Sequence, residues 1–364
     1  MSKYNFFERI VLQLPMFFLL FIFSGLYLEV YYQVTLLNDP NNLDILSGLV
    51  NLHDHNVYVG ELDKISNDGI SYELNNDVGI ALIYYVLYIA SALCNVIDIY
   101  LFSFLLNSLF LWFSFYYYNK ICSKHRLPDV ACLLFFLNFS FIYFSQLINK
   151  DMLTVFILIY SLYLGVRGCI IKILLIIPLA FLVRQQLALC LFVFAFLINV
   201  KKPLFWMVTS YIIGSLAAGY ISAHVPIISE ESMGGGLSSF LMALNSQYYI
   251  GSLFLNPVRF IQYFFSVPQS LMYTFMDVRF DFAAGLRALT LPLAILAFLF
   301  FSRSLSNIKA TLNSGLKVYF LLAYSFFICW LLNPTINSRY LMLILPIMVL
   351  GYFYQSEIVK KNDK

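Results

Sequence analysis

The chain has 364 residues, 61% of them hydrophobic and only 11% charged, with a mean hydropathy of +0.82, which excludes a soluble domain of this size. Its apolar runs are continuous rather than alternating, which excludes an outer-membrane barrel and leaves membrane helices. The formal net charge of +3 says little, because cations and acids segregate to opposite sides of the membrane once the chain is threaded through it, and no nucleic-acid partner is expected.

The first apolar run, Ile10 to Leu28, follows Lys3 and Arg9 and has no small-residue cleavage site, so it is predicted to be an anchor with the N-terminus inside. Residues 29–98 form a first external loop. Its stretch from Glu29 to Asp77 is strongly acidic, with Lys64 as the single Lys. The apolar run Val78 to Ile97 is read as a juxtamembrane helix in the outer interface, because counting it as a span would put Lys120, Lys124 and Arg126 outside. Spans follow at about 99–118, 130–147, 152–166, 170–183, 187–200 and 203–222, with Arg167/Lys172 and Lys201/Lys202 in cytoplasmic turns.

A second large external loop covers 222–287. It opens with Glu230, Glu231 and the run Gly234-Gly235-Gly236, which lacks the Lys-Ser/Thr of a phosphate-binding P-loop. Two semi-apolar pieces, 239–255 and 258–276 with a break at Pro268, are read as juxtamembrane or re-entrant helices. Three last spans, 288–302, 318–332 and 340–356, alternate with Arg303/Lys309/Lys317 inside and residues 333–339 outside. Lys360, Lys361 and Lys364 place the C-terminus inside as well. The expectation is an all-α polytopic membrane protein of about ten transmembrane helices, a single membrane domain over 1–364 without internal repeats.

This threading places most of the 22 Lys and Arg inside, as the positive-inside rule requires, and most of the 19 acids outside. Seven cations remain on the acidic side: Lys64, Lys150, Arg184, Arg259, Arg279, Arg287 and Arg339. Segments 170–183 and 187–200 fall short of the roughly 20 residues that cross about 30 Å of hydrocarbon. Their junction, Val183-Arg184-Gln185-Gln186, is therefore expected to be sunk, with Arg184 lining a cavity. Lys150, Arg184 and Arg339 each abut a span and can neutralise a departing phosphate or pyrophosphate, with Arg259, Arg279 and Arg287 adding from the second loop. The competing reading of these side chains is snorkelling to headgroups, or pairing of Arg279 and Arg287 with Asp277 and Asp281.

Asp39, Asp44 and Asp151 are all expected at the outer face, where a carboxylate can take a proton from an acceptor hydroxyl. Asp39 reads equally as a turn residue before Pro40, and Asp151 as a helix N-terminal charge. His53, His55 and His224 are read as loop residues, and His53-Asp54-His55 lacks a third metal ligand. The six Cys have no paired spacing, so neither a disulfide framework nor a metal site is expected. No cofactor follows from the sequence, and a divalent metal has no supporting motif.

The order of these features resembles the GT-C polyprenyl-phosphate-dependent glycosyltransferases, particularly small bacterial members of surface-polysaccharide assembly. The resemblance rests on the first span with an acidic loop holding Asp39, on the helix at Gly79-Ile80-Ala81-Leu82-Ile83-Tyr84, and on Tyr143-Phe144-Ser145-Gln146-Leu147-Ile148-Asn149-Lys150-Asp151. It continues through Val183-Arg184-Gln185-Gln186 and Ser338-Arg339-Tyr340-Leu341 with Pro346. The absence of an Asp-x-Asp motif and of a C-terminal soluble domain departs from the larger members. Size and the two large loops also resemble Wzy-type O-antigen or capsule repeat-unit polymerases, which use external Arg to hold undecaprenyl pyrophosphate-linked glycans. The resemblance implies a bacterial inner-membrane glycosyltransferase with both termini cytoplasmic, acting on a polyprenyl-linked glycan at the periplasmic face. It implies the lipid bilayer, a chain-length regulator and a flippase as partners. Single-sugar transfer from a polyprenyl-phosphate donor is the alternative within the class. A lipid-linked oligosaccharide flippase is the rival outside it, and would need two similar halves and charges along a path to the cytoplasm.

Overall fold

The computed structural model describes residues 11, 14–26, 52–68, 76–92, 99–224, 237–276, 282–333, 336 and 338–362. In chain order the helices are α1 (Leu14–Leu26), α2 (Leu52–Asp68), α3 (Asn76–Ala92), α4 (Ile99–His125), α5 (Asp129–Leu133), α6 (Ser140–Phe144), α7 (Asp151–Val166), α8 (Ile170–Val183) and α9 (Gln185–Asn199). They continue with α10 (Pro203–His224), α11 (Leu237–Tyr248), α12 (Gly251–Met276), α13 (Phe282–Ala288), α14 (Leu291–Ser306), α15 (Ile308–Leu312), α16 (Lys317–Trp330) and α17 (Leu341–Asn362). No strand occurs among the described residues. The stretches Leu101–His125, Pro203–His224 and Leu341–Val359, in α4, α10 and α17, are long and apolar enough to cross a bilayer; α1, α3, α7, α8, α9, α14 and α16 are apolar but shorter.

Apolarity on all sides of a helix goes with burial on all sides, and α7 obeys this from Asp151 to Gly165 with few interruptions. It packs against α4, α16 and α17 at the centre of the bundle. The peripheral helices instead turn large apolar side chains outward: Ile171, Leu175 and Phe181 on α8, and Phe205, Ile213 and Tyr220 on α10. Apolar faces of that extent need a hydrocarbon cover.

The two ends of the bundle differ in charge. At one end Lys124 donates to Val166 O (2.6 Å), Lys317 donates to Ile198 O (2.9 Å), and His125 packs on the rings of Tyr319 and Tyr354. These contacts gather the turns after α4, α7 and α9 and the start of α16, where Lys and Arg concentrate. The amino end of α7 and the α8–α9 junction lie at the other end, joined by the side chains of Asp151 and Arg184.

Two expected elements take a different form. Residues 130–147 are not one helix: α5, a 3₁₀ turn (Leu134–Leu137) and α6 follow one another, broken at Asn138. The buried Asn138 Nδ2 donates to Met342 O (2.9 Å), tying the break to α17. In the second region the break falls not at Pro268, which lies within α12 together with Pro257, but between α11 and α12. There Tyr249 takes φ of 60°, and buried Asn245 accepts from Ser252 N (3.0 Å) while donating to Ser222 Oγ (2.8 Å). The hairpin folds back beside α10, with Tyr211 donating to Leu253 O (2.5 Å).

The lengths of α4 and α7 place the site in depth. Helix α4 has 27 residues and α7 only 16, yet they meet at the cationic end through Lys124 and Val166. At about 1.5 Å per residue, α7 stops roughly 16 Å short of the other end of α4. The amino end of α7 is thus recessed.

Candidate functional site

Backbone at that depth must find partners within the protein. The segment from Ser145 to Lys150 does so through side chains. Asn107, buried in mid-α4, donates to Leu147 O (2.8 Å) and accepts from the Tyr84 hydroxyl (2.7 Å). Asn149 donates to Phe144 O and to Leu147 O, and its Oδ1 accepts from Asp151 N (2.9 Å). Ile148 N donates to Nδ1 of His55 (3.3 Å), which puts the neutral imidazole proton on Nε2. His55 is therefore not in a loop as its sequence context suggests; it belongs to α2, as His224 belongs to α10.

Asp151 is fully buried at the head of α7. Its Oδ1 accepts from Arg184 Nη2 and its Oδ2 from Arg339 Nε. Arg184 comes from the α8–α9 junction, where its extended backbone (φ −158°, ψ 124°) ends one helix and starts the next. Arg339 lies in the 3₁₀ turn Ser338–Tyr340 before α17 and reaches across to Asp54 through Nη1. Lys150 Nζ contacts Asp77 Oδ1 at 3.2 Å. Burial works against charge on Arg339, but Asp151 and Asp54 together hold its guanidinium above the ordinary value. Burial pushes the Lys150 ammonium down, and nearby Arg184 adds to this while Asp77 offsets it in part.

Three cations thus meet three carboxylates. Aromatic rings line the cluster: Arg184 lies over Tyr340 (5.1 Å to the centroid), Arg339 over Phe144 (4.6 Å), and Lys150 over Tyr58 (5.6 Å). Burial and Asp54 push the Tyr58 hydroxyl well above its ordinary range, so it stays a neutral O–H. Helix α2 covers this set, turning His55, Tyr58, Leu62 and Ile65 inward at helical spacing and leaving Asn56, Asp63 and Lys64 exposed.

Of the residues singled out in the sequence, Lys150, Asp151, Arg184 and Arg339 come together. Arg259 does not join them: buried in α12, it donates to Asn256 Oδ1 (2.7 Å), Leu331 O (3.0 Å) and Asn333 O. It caps the carboxyl end of α16, where a cation suits the unpaired carbonyls. Arg259→Met is expected to cost about 1–2 kcal/mol through those stranded acceptors, seen as a lower melting temperature, with ligand affinity per folded molecule unchanged. Arg287 donates from Nε to Ala283 O (3.3 Å) in α13, which packs on α6. Asp39, Asp44 and Arg279 lie outside the described residues.

Asp54, Asp77, Tyr58 and the positioning residues Asn107, Asn149 and His55 were not evident as site members. An Asn in mid-span of an apolar run is a usable signal for Asn107. Asp54 and Asp77 are two of many acids in one loop, and nothing in their spacing separates them. No group of three or more His, Cys, Asp or Glu among the described residues is arranged to hold a metal ion.

The arrangement is a buried, charge-balanced cluster in which each of the three cations is held by a carboxylate. Asp151 fixes both arginines, whereas Asp54 and Asp77 approach from the covering helices α2 and α3. Apolar helices of spanning length, with apolar outer faces, give the class of protein: an all-helical protein built for a membrane. Comparison of the chain with known protein families, curated proteins and solved structures finds no match.

Proposed function

We propose that the chain is a membrane glycosyltransferase that acts on polyprenyl phosphate- or pyrophosphate-linked saccharides at the outer face of a bacterial inner membrane, joining repeat units of a surface polysaccharide. The observation that carries this reading is the recessed Asp151–Arg184–Arg339 cluster with Lys150 beside it, at the end of the bundle away from the Lys- and Arg-rich turns. By the positive-inside rule that end faces outward. A lipid-linked substrate reaches such a depth from the bilayer, and its phosphate displaces Asp54 from Arg339 and Asp77 from Lys150.

In the reaction the bond from the anomeric carbon to the phosphate oxygen breaks, and the leaving phosphate keeps the electron pair. Arg184, Arg339 and Lys150 neutralise that growing charge. The acceptor hydroxyl oxygen forms the new glycosidic bond and gives its proton to a carboxylate. Asp151, with both oxygens engaged by arginines, suits the orienting role; Asp54, once displaced, is the described carboxylate placed to take the proton.

The test is the silver-stained surface-polysaccharide profile of a deletion strain carrying wild type, Arg184→Ala or Asp54→Asn at matched membrane levels. The expected result is core bearing one repeat unit in the deletion strain, with the ladder restored by wild type only. A normal ladder in the deletion strain rules out polymerisation, and a full-length ladder lacking one decoration points to single-sugar transfer. Full complementation by both variants removes the site.

A further inference from the structure

Two stripes of side chains, one on α4 and one on α7, run side by side, and each ends in a cation. On α4 the exposed Leu101, Leu105, Leu109 and Phe113 recur at every fourth position, and the same face continues through Tyr117 to Lys120. On α7 the partly exposed Phe156 and Tyr160 lead at helical spacing to Tyr163 and Arg167. Ring contacts join the two stripes: Phe113 lies 5.9 Å from Phe156, and Tyr117 lies 4.6 Å from Tyr160 and 5.0 Å from Tyr163, between centroids. Just beyond, Cys169 N donates to Leu164 O (2.9 Å) and Gly168 takes φ of 72°, which closes α7 and leaves Arg167 exposed beside the stripe.

The two cations meet at one ring. Lys120 Nζ lies 5.8 Å from the Tyr163 centroid, and Arg167 Cζ lies 5.0 Å from it. Lys120 Nζ is also 4.2 Å from the Tyr116 ring and 5.6 Å from the Tyr117 ring, so three rings hold its ammonium in place. Arg167 has no carboxylate partner among the described residues. Like charges brought together repel, and an anion that touches both turns that repulsion into attraction. Lys124, one turn further along α4, is already committed to Val166 O.

The face below the cations decides which anion fits. From Lys120 back to Leu109 is about 16 Å at 1.5 Å per residue, roughly the depth of one leaflet of a ~30 Å hydrocarbon layer. Free phosphate makes no use of such a face, whereas a lipid lays its chain along it. A zwitterionic headgroup brings its own cation and gains less from two more. We infer that Lys120 and Arg167, set on the Tyr116, Tyr117 and Tyr163 rings, bind the headgroup phosphate of an anionic phospholipid whose acyl chain lies along Phe113 and Phe156. By the positive-inside rule this lipid belongs to the cytoplasmic leaflet. The site is at the opposite end of the bundle from Asp151 and stands independently of the glycosyltransferase reading.

The purified protein in detergent is titrated with phosphatidylglycerol, phosphatidylcholine or inorganic phosphate and followed by thermal melts. Phosphatidylglycerol is expected to raise the melting temperature saturably, phosphatidylcholine to act only at higher concentration, and inorganic phosphate to have no effect. Lys120→Gln with Arg167→Gln is expected to raise the half-saturating concentration of phosphatidylglycerol roughly thirtyfold, the effect of two cations near one phosphate. Lys202→Gln with Lys309→Gln removes the same charge from exposed positions at the same end of the bundle, and is expected to leave that concentration unchanged. Lys120 also packs on three rings, so the quantity compared is each protein's response to lipid and not its melting temperature alone. No saturable response to phosphatidylglycerol, an equal response to phosphatidylcholine, or equal weakening in the two double variants overturns the site. A response to inorganic phosphate that Lys120→Gln with Arg167→Gln abolishes overturns the lipid assignment.

Discussion

Asp151→Asn is expected to lower stability by about 3–5 kcal/mol, because it leaves Arg184 and Arg339 facing each other with the buried carboxylate between them gone. Asp151 is fully buried and Arg184 is 3% exposed, so solvent screening offers little relief. Arg184→Met alone is also destabilising, since it strips one of two counter-charges from Asp151. The double variant Asp151→Asn with Arg184→Met is expected to lose less than the sum of the singles, by a coupling of about 1–3 kcal/mol. Thermal melts of the four proteins in one detergent complete the cycle. Additive losses would mean that the two side chains do not interact, and the account of the site would fall with them.

Gly79→Val is expected to be the most damaging change outside the charged cluster. A Cβ at Gly79 would overlap the carbonyl group of Leu182, two residues before Arg184. Helix α3 therefore rests backbone against backbone on the end of α8, and Arg184 depends on that seat. Forcing the two helices apart is expected to cost about 2–3 kcal/mol and, under the proposed function, to abolish the polysaccharide ladder even in the folded fraction because Arg184 moves off Asp151. Gly60 on α2 is the control: a Cβ there meets nothing within 4 Å, so Gly60→Ala is expected to keep full activity and gain a few tenths of a kcal/mol to about 1 kcal/mol. Equal damage from both substitutions would remove the close-approach argument.

Much of the site is legible in the chain because it follows from length. Two apolar segments too short to cross hydrocarbon predict a sunken junction at residues 183–186, and Arg184 is indeed buried within the protein, at 3% exposed. That reasoning finds Arg184 without knowing what it touches. Asp151 and Arg339 are likewise marked by lying against apolar runs. The identity of the partners is not legible, since Asp54 and Asp77 reach the cluster by the fold of α2 and α3 rather than by spacing. Arg259 shows the opposite limit. Its place in the second external loop makes it a candidate beside Arg339, but it turns to the carbonyls of Leu331 and Asn333. The break within 130–147 is not legible because hydropathy averages over Asn138, the polar residue at which the helix stops and whose side chain bonds to Met342 O.

The balance of Lys150, Arg184 and Arg339 against Asp54, Asp77 and Asp151 also bears on how a ligand arrives. Opposite charges in contact cancel at distances beyond about 8 Å, the screening length at physiological salt, so the closed site casts little field into the surrounding medium. Stray inorganic phosphate is not drawn in from outside, as it would be by a naked cluster of three cations. Under the proposed function, attraction would act only on an anion already at the rim, brought there through the bilayer by its own hydrocarbon tail. The encounter rate of such a ligand would follow its lateral diffusion and be nearly indifferent to ionic strength.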